Sequence, residues 1–136
     1  MEAMKLSVHV RVILSIAIVV SMWMQATPVL AHAQLVKAEP ARRAVIDKSP
    51  TQIRLWFNEE IEGAYTSLSV FGANKKPVTD AKPEVVSDDP KSVVLPLPDL
   101  KPGKYTVKFR VLSVDGHIVD ESFSYKVKNK GTAQGK

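Results

Sequence analysis

The chain contains no cysteine. Disulfide stapling, thiolate zinc sites, blue-copper centres and thioredoxin-type redox chemistry all need a thiol, so each is excluded. Methionine stops at Met24, which leaves the remainder of the sequence without thioethers as well. No apolar run reaches the roughly 20 residues of a spanning helix. With 136 residues the chain is also too short for a TIM barrel or a two-domain dinucleotide enzyme, and its composition is that of one globular domain.

The longest uncharged apolar run covers residues 12–24 (VILSIAIVVSMWM) and follows a short segment with Lys5, His9 and Arg11. That layout predicts a secretory signal peptide over residues 1–31, the competing reading being a membrane anchor that is too short. Small or apolar residues at Val29 and Ala31 suit cleavage after Ala31, while Ala31-His32-Ala33 is itself an A-x-A site for cleavage after Ala33. Removing the leader takes away two of the 19 basic and one of the 14 acidic residues, for a net charge of +4. The basic residues are scattered along strands and tails, which fits solubility and not nucleic-acid binding. About 105 residues without disulfides must then be held by their core alone, which is feasible at that size.

Beyond residue 50 the apolar pattern has period two. Ile53, Leu55 and Phe57 alternate with Gln52, Arg54 and Trp56, and the alternation recurs in Leu68 and Val70, in Tyr105, Val107, Phe109 and Val111, and in Phe123, Tyr125 and Val127. A further strand is expected over 93–97, with a short edge strand at 34–37, turns at 72–77 and 87–90, and a long polar loop over 76–89. The expected architecture is all-β, a small antiparallel Greek-key barrel or sandwich of immunoglobulin-like type. Residues 129–136 (NKGTAQGK) read as a flexible polar tail.

Two histidines survive removal of the leader, His32 and His117. If cleavage falls after Ala31, His32 is the first residue, and its free α-amine and imidazole Nδ1 together chelate one metal ion through a six-membered ring. Cleavage after Ala33 would discard it. In Asp115-Gly116-His117, residues two apart in an extended segment project to the same side about 6.6 Å apart and could converge on one ion. Seen alone, the same triplet reads as a turn dipeptide followed by a solvated histidine. Together, two nitrogens from His32, one from His117 and one oxygen from Asp115 make an N3O set suited to square-planar Cu(II), and zinc could take the same atoms tetrahedrally.

These residues carry a resemblance. The stretch AHAQLVKAEP at 31–40, IRLWFNEE at 53–60, PGKYTV at 102–107 and FRVLSVDGH at 109–117, followed by SFSY at 122–125, resembles the CopC family of exported copper-binding proteins over 32–128. The resemblance implies a Greek-key β domain that holds one Cu(II) per chain through His32, Asp115 and His117. It implies a weaker axial or outer role for Glu59 in Phe57-Asn58-Glu59, which otherwise reads as one of three solvated acids with Glu60 and Glu62. Some family members carry a methionine-rich loop for Cu(I), and the polar stretch 76–89 stands there instead. A site for Cu(II) alone follows.

The function expected is an exported copper carrier or buffer of the periplasm or cell envelope, not an enzyme. A CopD-type membrane copper transporter is the implied partner; nucleic acid is not a partner, the membrane is met only through targeting, and the chain is expected to be a monomer. Two other readings stand beside it. A copper monooxygenase shares the histidine chelate, but it needs an open coordination position and a substrate platform, for which Trp56 as the sole tryptophan beyond the leader is little provision. A metal-free immunoglobulin-like interaction domain would follow from cleavage after Ala33. A hydrolase triad from Ser113 or Ser122 has no nucleophile elbow to support it.

Overall fold

The computed structural model describes residues 8–16 and 33–128, which fall in two separate units. Residues 8–16 are helical, with Ser15 Oγ donating to the Arg11 carbonyl at 2.8 Å. No helix among the described residues is long and apolar enough to cross a membrane.

The described residues of the second unit form eight strands: β1 (Leu35–Glu39), β2 (Val45–Ile46), β3 (Gln52–Phe57), β4 (Ser67–Phe71), β5 (Glu84–Val86), β6 (Asp89–Pro96), β7 (Gly103–Leu112) and β8 (Ile118–Val127). They form two four-stranded sheets, in the orders β1-β3-β6-β5 and β2-β8-β7-β4. The chain crosses repeatedly between the two, so the architecture is a sandwich.

Alternation along each strand decides which side chains meet between the sheets. Ile53, Leu55, Phe57, Val93 and Leu95 of the first sheet are buried, as are Leu68, Val70, Val107, Phe109, Val111 and Tyr125 of the second. Phe57 meets Phe109 edge-on across the interface at 5.8 Å, and Phe109 meets Phe123 at 6.5 Å. Each such side chain contributes about 1.5–3 kcal/mol by leaving water. On the opposite face of β3, Trp56 lies between Lys37 and Arg54, and both its Nε1 and the Arg54 guanidinium donate to Asp89 Oδ2, at 3.1 and 2.9 Å.

Three expectations need correction. The stretch 76–89 is not one loop: Pro77 bridges to Phe71, and Glu84–Val86 pairs with β6 as an edge strand. Three residues are too few for a period-two signal, and Val85 is held by facing Val93. The sheets are not wholly antiparallel, because the two-residue β2 runs parallel to β8. Finally, Ser113 to His117 is a turn and not an extended segment.

Candidate metal site

Between β7 and β8 the chain reverses through five residues. The Ser113 N–H donates to the His117 carbonyl at 2.8 Å and the Gly116 N–H to the Ser113 carbonyl at 2.9 Å. Gly116 has φ +91°, a conformation that glycine adopts without the steric cost a Cβ brings. A Cβ there would meet nothing within 4 Å, so backbone conformation and not space selects glycine.

Ser113 organises the turn from inside. It is 1% exposed, its Oγ accepts the His117 N–H at 3.1 Å, and it is hydrogen-bonded to Asp115 Oδ1. The other carboxylate oxygen, Oδ2, lies 2.9 Å from His117 Nδ1. Asp115 and His117 therefore converge because the turn folds them together, not because an extended strand projects them in parallel. The Ser113 hydrogen bond is the main cause holding the Asp115 carboxyl below the usual carboxylate range; desolvation opposes it, and the His117 ring adds to it. His117 is partly exposed, but its Nδ1 is buried.

A second segment, residues 58–62, runs beside this turn. Val114 N–H donates to the Glu60 carbonyl at 2.9 Å, Glu62 N–H to the Leu112 carbonyl at 2.8 Å, and Ile61 bridges to Ser113. The same segment grips the start of the domain: Gln34 N–H donates to Asn58 Oδ1 at 2.6 Å and Asn58 N–H returns to the Gln34 carbonyl at 3.2 Å. Lys91 Nζ caps the Asn58 carbonyl at 3.0 Å. Asn58 to Glu60 thus connect the beginning of the domain to the Asp115–His117 turn.

Of the four expected ligands, the structure brings two together, Asp115 and His117. Glu59 is half-buried within the connecting segment, and among the described residues no group of three or more His, Cys, Asp or Glu side chains is gathered closely enough to hold a metal. His32, the cleavage point after Ala31 and the tail 129–136 lie outside the described residues. Sequence reasoning missed the role of Ser113, although a hydroxyl two residues before an Asp-Gly is a recurring turn-forming pattern. Its hydroxyl serves the carboxylate and the backbone, and its burial removes it from any nucleophilic role.

The model of the CopC domain matches residues 35–128. YobA of Escherichia coli K12 is 35% identical over 101 residues, covering 74% of this chain and 82% of that one. Copper resistance protein C of Xanthomonas campestris pv. juglandis is 31% identical over 124 residues, covering 87% and 97%. The crystal structure of CopC from Methylosinus trichosporium OB3b superposes with a TM-score of 0.67 at 37% identity, over 71% of this chain and 94% of that one. The sandwich is matched along nearly its whole described length by the CopC domain, which removes the monooxygenase from consideration. The chain belongs to the CopC family of copper resistance proteins, which bind copper, are typically periplasmic and are not enzymes.

Proposed function

We propose that the protein is exported, is cleaved after Ala31, and carries or buffers one Cu(II) outside the cytoplasm. The ligands are the α-amine and imidazole of His32, a ring nitrogen of His117 and the Asp115 carboxylate. The observation that carries this reading is the tie of Gln34 to Asn58 beside the Asp115–His117 turn. Two residues of chain span at most about 7 Å, so a first residue at His32 starts close to where Gln34 is pinned.

The chemistry of the described pair supports the reading. A carboxylate kept ionised and a histidine whose buried Nδ1 faces it favour the tautomer protonated at Nδ1, which leaves the Nε2 lone pair for a metal. Three nitrogens and one oxygen suit a Cu(II) square, and the absence of thioethers beyond Met24 disfavours Cu(I). Glu59 adds at most an axial or outer contact. A CopD-type membrane protein is the partner to which such a carrier would deliver copper, a proposal resting on the family resemblance.

The intact mass of the exported protein, with and without one equivalent of Cu(II), tests this. A chain starting at His32 that gains one copper is expected. A chain starting at Gln34, or one starting at His32 that takes no copper, overturns it and brings forward a metal-free interaction domain.

A further inference from the structure

Arg43, Lys104 and Lys126 are far apart in sequence, and strand pairing brings them together. Lys104 lies directly opposite Lys126 in the β7–β8 register, and Val45 pairs with Lys126 from the other side. Arg43 reaches the same place through an unusual backbone: its φ is 61°, in the left-handed region that residues other than glycine seldom enter, and its N–H donates to the Ser124 carbonyl at 2.7 Å. The three cations line one open hollow of about 260 Å³ with Val45 and Ser124, and no carboxylate lines it.

Three other cations of this unit have carboxylate partners, and these three do not. Arg42 pairs with Glu121, Arg110 with Asp120 and Lys128 with Asp47. Among the described residues no carboxylate pairs with Arg43, Lys104 or Lys126. Like charges directly opposite on a sheet repel each other, so the sheet carries an imbalance that an anion would relieve. A guanidinium fork, two ammonium groups and a hydroxyl form the donor set that phosphate oxygens accept from.

We propose that the hollow between β2, β8 and the start of β7 binds a phosphate group, through Arg43, Lys104, Lys126 and Ser124. Free inorganic phosphate and the headgroup of an anionic phospholipid share that chemistry. The hollow lies eight residues along β7 from Leu112, about 26 Å from the Asp115–His117 turn, so both ends can be occupied at once.

The exported protein is titrated with inorganic phosphate against chloride at constant ionic strength, following backbone amide resonances, and is sedimented with vesicles of phosphatidylglycerol or of phosphatidylcholine. Saturable shifts confined to residues 43–45, 104 and 124–126 identify free phosphate as the ligand; co-sedimentation with phosphatidylglycerol alone identifies the headgroup. In either arm Lys104→Glu and, separately, Lys126→Glu weaken the binding at least tenfold and leave Cu(II) loading unchanged. Each places opposite charges across the strand pair, so neither threatens the fold. Absence of response in both arms, or binding by both variants equal to that of the parent, overturns the proposal. Copper loading is read independently, so its failure is distinct from failure here.

Discussion

Where β7 turns into β8, polar groups answer one another: Asp115 is held by Ser113 and His117, and Gln34, Asn58 and Lys91 close the adjoining segment. At the far end of the same two strands, Lys104 faces Lys126 on the outer surface. Beneath them Tyr105 stacks on Tyr125 with ring centroids 5.6 Å apart, and the Tyr125 hydroxyl is buried without a hydrogen-bond partner among the described residues. One hairpin thus carries a preorganised polar turn at one end and unresolved charge and polarity at the other. The first arrangement is what a binding site with fixed geometry requires, and the second is what a ligand or a substitution can relieve.

The sharpest way to break the contrast is at the organised end. His117→Ala is expected to weaken Cu(II) binding by at least about 100-fold in a chelator-competition titration, since loss of an outer-shell partner alone costs about 10–100-fold. A methionine retained before His32 should weaken binding comparably, because it converts the α-amine into a peptide bond. Unchanged affinity in both variants would sink the carrier reading.

Ser113→Ala tests whether the turn is organised from within. Removing the hydroxyl leaves the His117 N–H without its acceptor and the Asp115 carboxylate without its strongest hydrogen bond. The expected losses are about 10–100-fold in Cu(II) affinity and about 1–3 kcal/mol in stability from urea unfolding. The pH dependence follows from the lowered Asp115 value. A carboxyl held below its unfolded value contributes stability that is present above about pH 4 and is lost as pH falls further. Ser113→Ala should therefore lose less stability than the parent between pH 4 and pH 1, having less of this contribution to lose. An equal acid loss in both proteins would remove Ser113 from its organising role.

The two ends also differ in how much of them the sequence discloses. Period-two alternation marks the long strands, because half-buried strands of six to ten residues cannot hide their inner face; Ile53, Leu55 and Phe57 are all buried as the pattern requires. It fails for β2 and β5, whose two and three residues are held by pairing with β8 and β6 and not by their own pattern. At the candidate metal site the histidine and aspartate were legible as residue types. The turn was one of two readings of Asp115-Gly116-His117; its seating against segment 58–62 and the burial of Ser113 were not legible, because both depend on residues distant in sequence. The convergence of Arg43, Lys104 and Lys126 is hidden in the sequence, where the basic residues are scattered, since sequence distance conceals what register brings face to face.

At the unbalanced end the next effect is on the alkaline side. Burial, and then the nearby Tyr105, raise the Tyr125 pKa well above that of a free tyrosine. Because the folded value lies above the unfolded one, the stabilising contribution is complete below about pH 10 and is lost as pH rises beyond it. Tyr125→Phe removes both this dependence and an unpartnered buried hydroxyl. It should gain about 1 kcal/mol at pH 7, read as a higher urea midpoint, and the gain should widen at pH 11. A variant less stable than the parent at both pH values would show that the hydroxyl has a partner in solution.

The smallest effect asks whether the repulsion between Lys104 and Lys126 is real. Lys104→Glu places opposite charges across the same strand pair and should stabilise the protein by about 0.2–1 kcal/mol in low salt. Lys108→Glu is the control, because Lys108 faces Ser122 and sits 5.4 Å from the Phe71 ring centroid, so it relieves no repulsion and gives up a cation–π contact. Raising the salt to about 1 M shortens the screening length to about 3 Å and should erase the gain from Lys104→Glu. A gain that persists in high salt would place its origin in packing or strand propensity, and the two ends of the hairpin would then differ in polarity without differing in electrostatic balance.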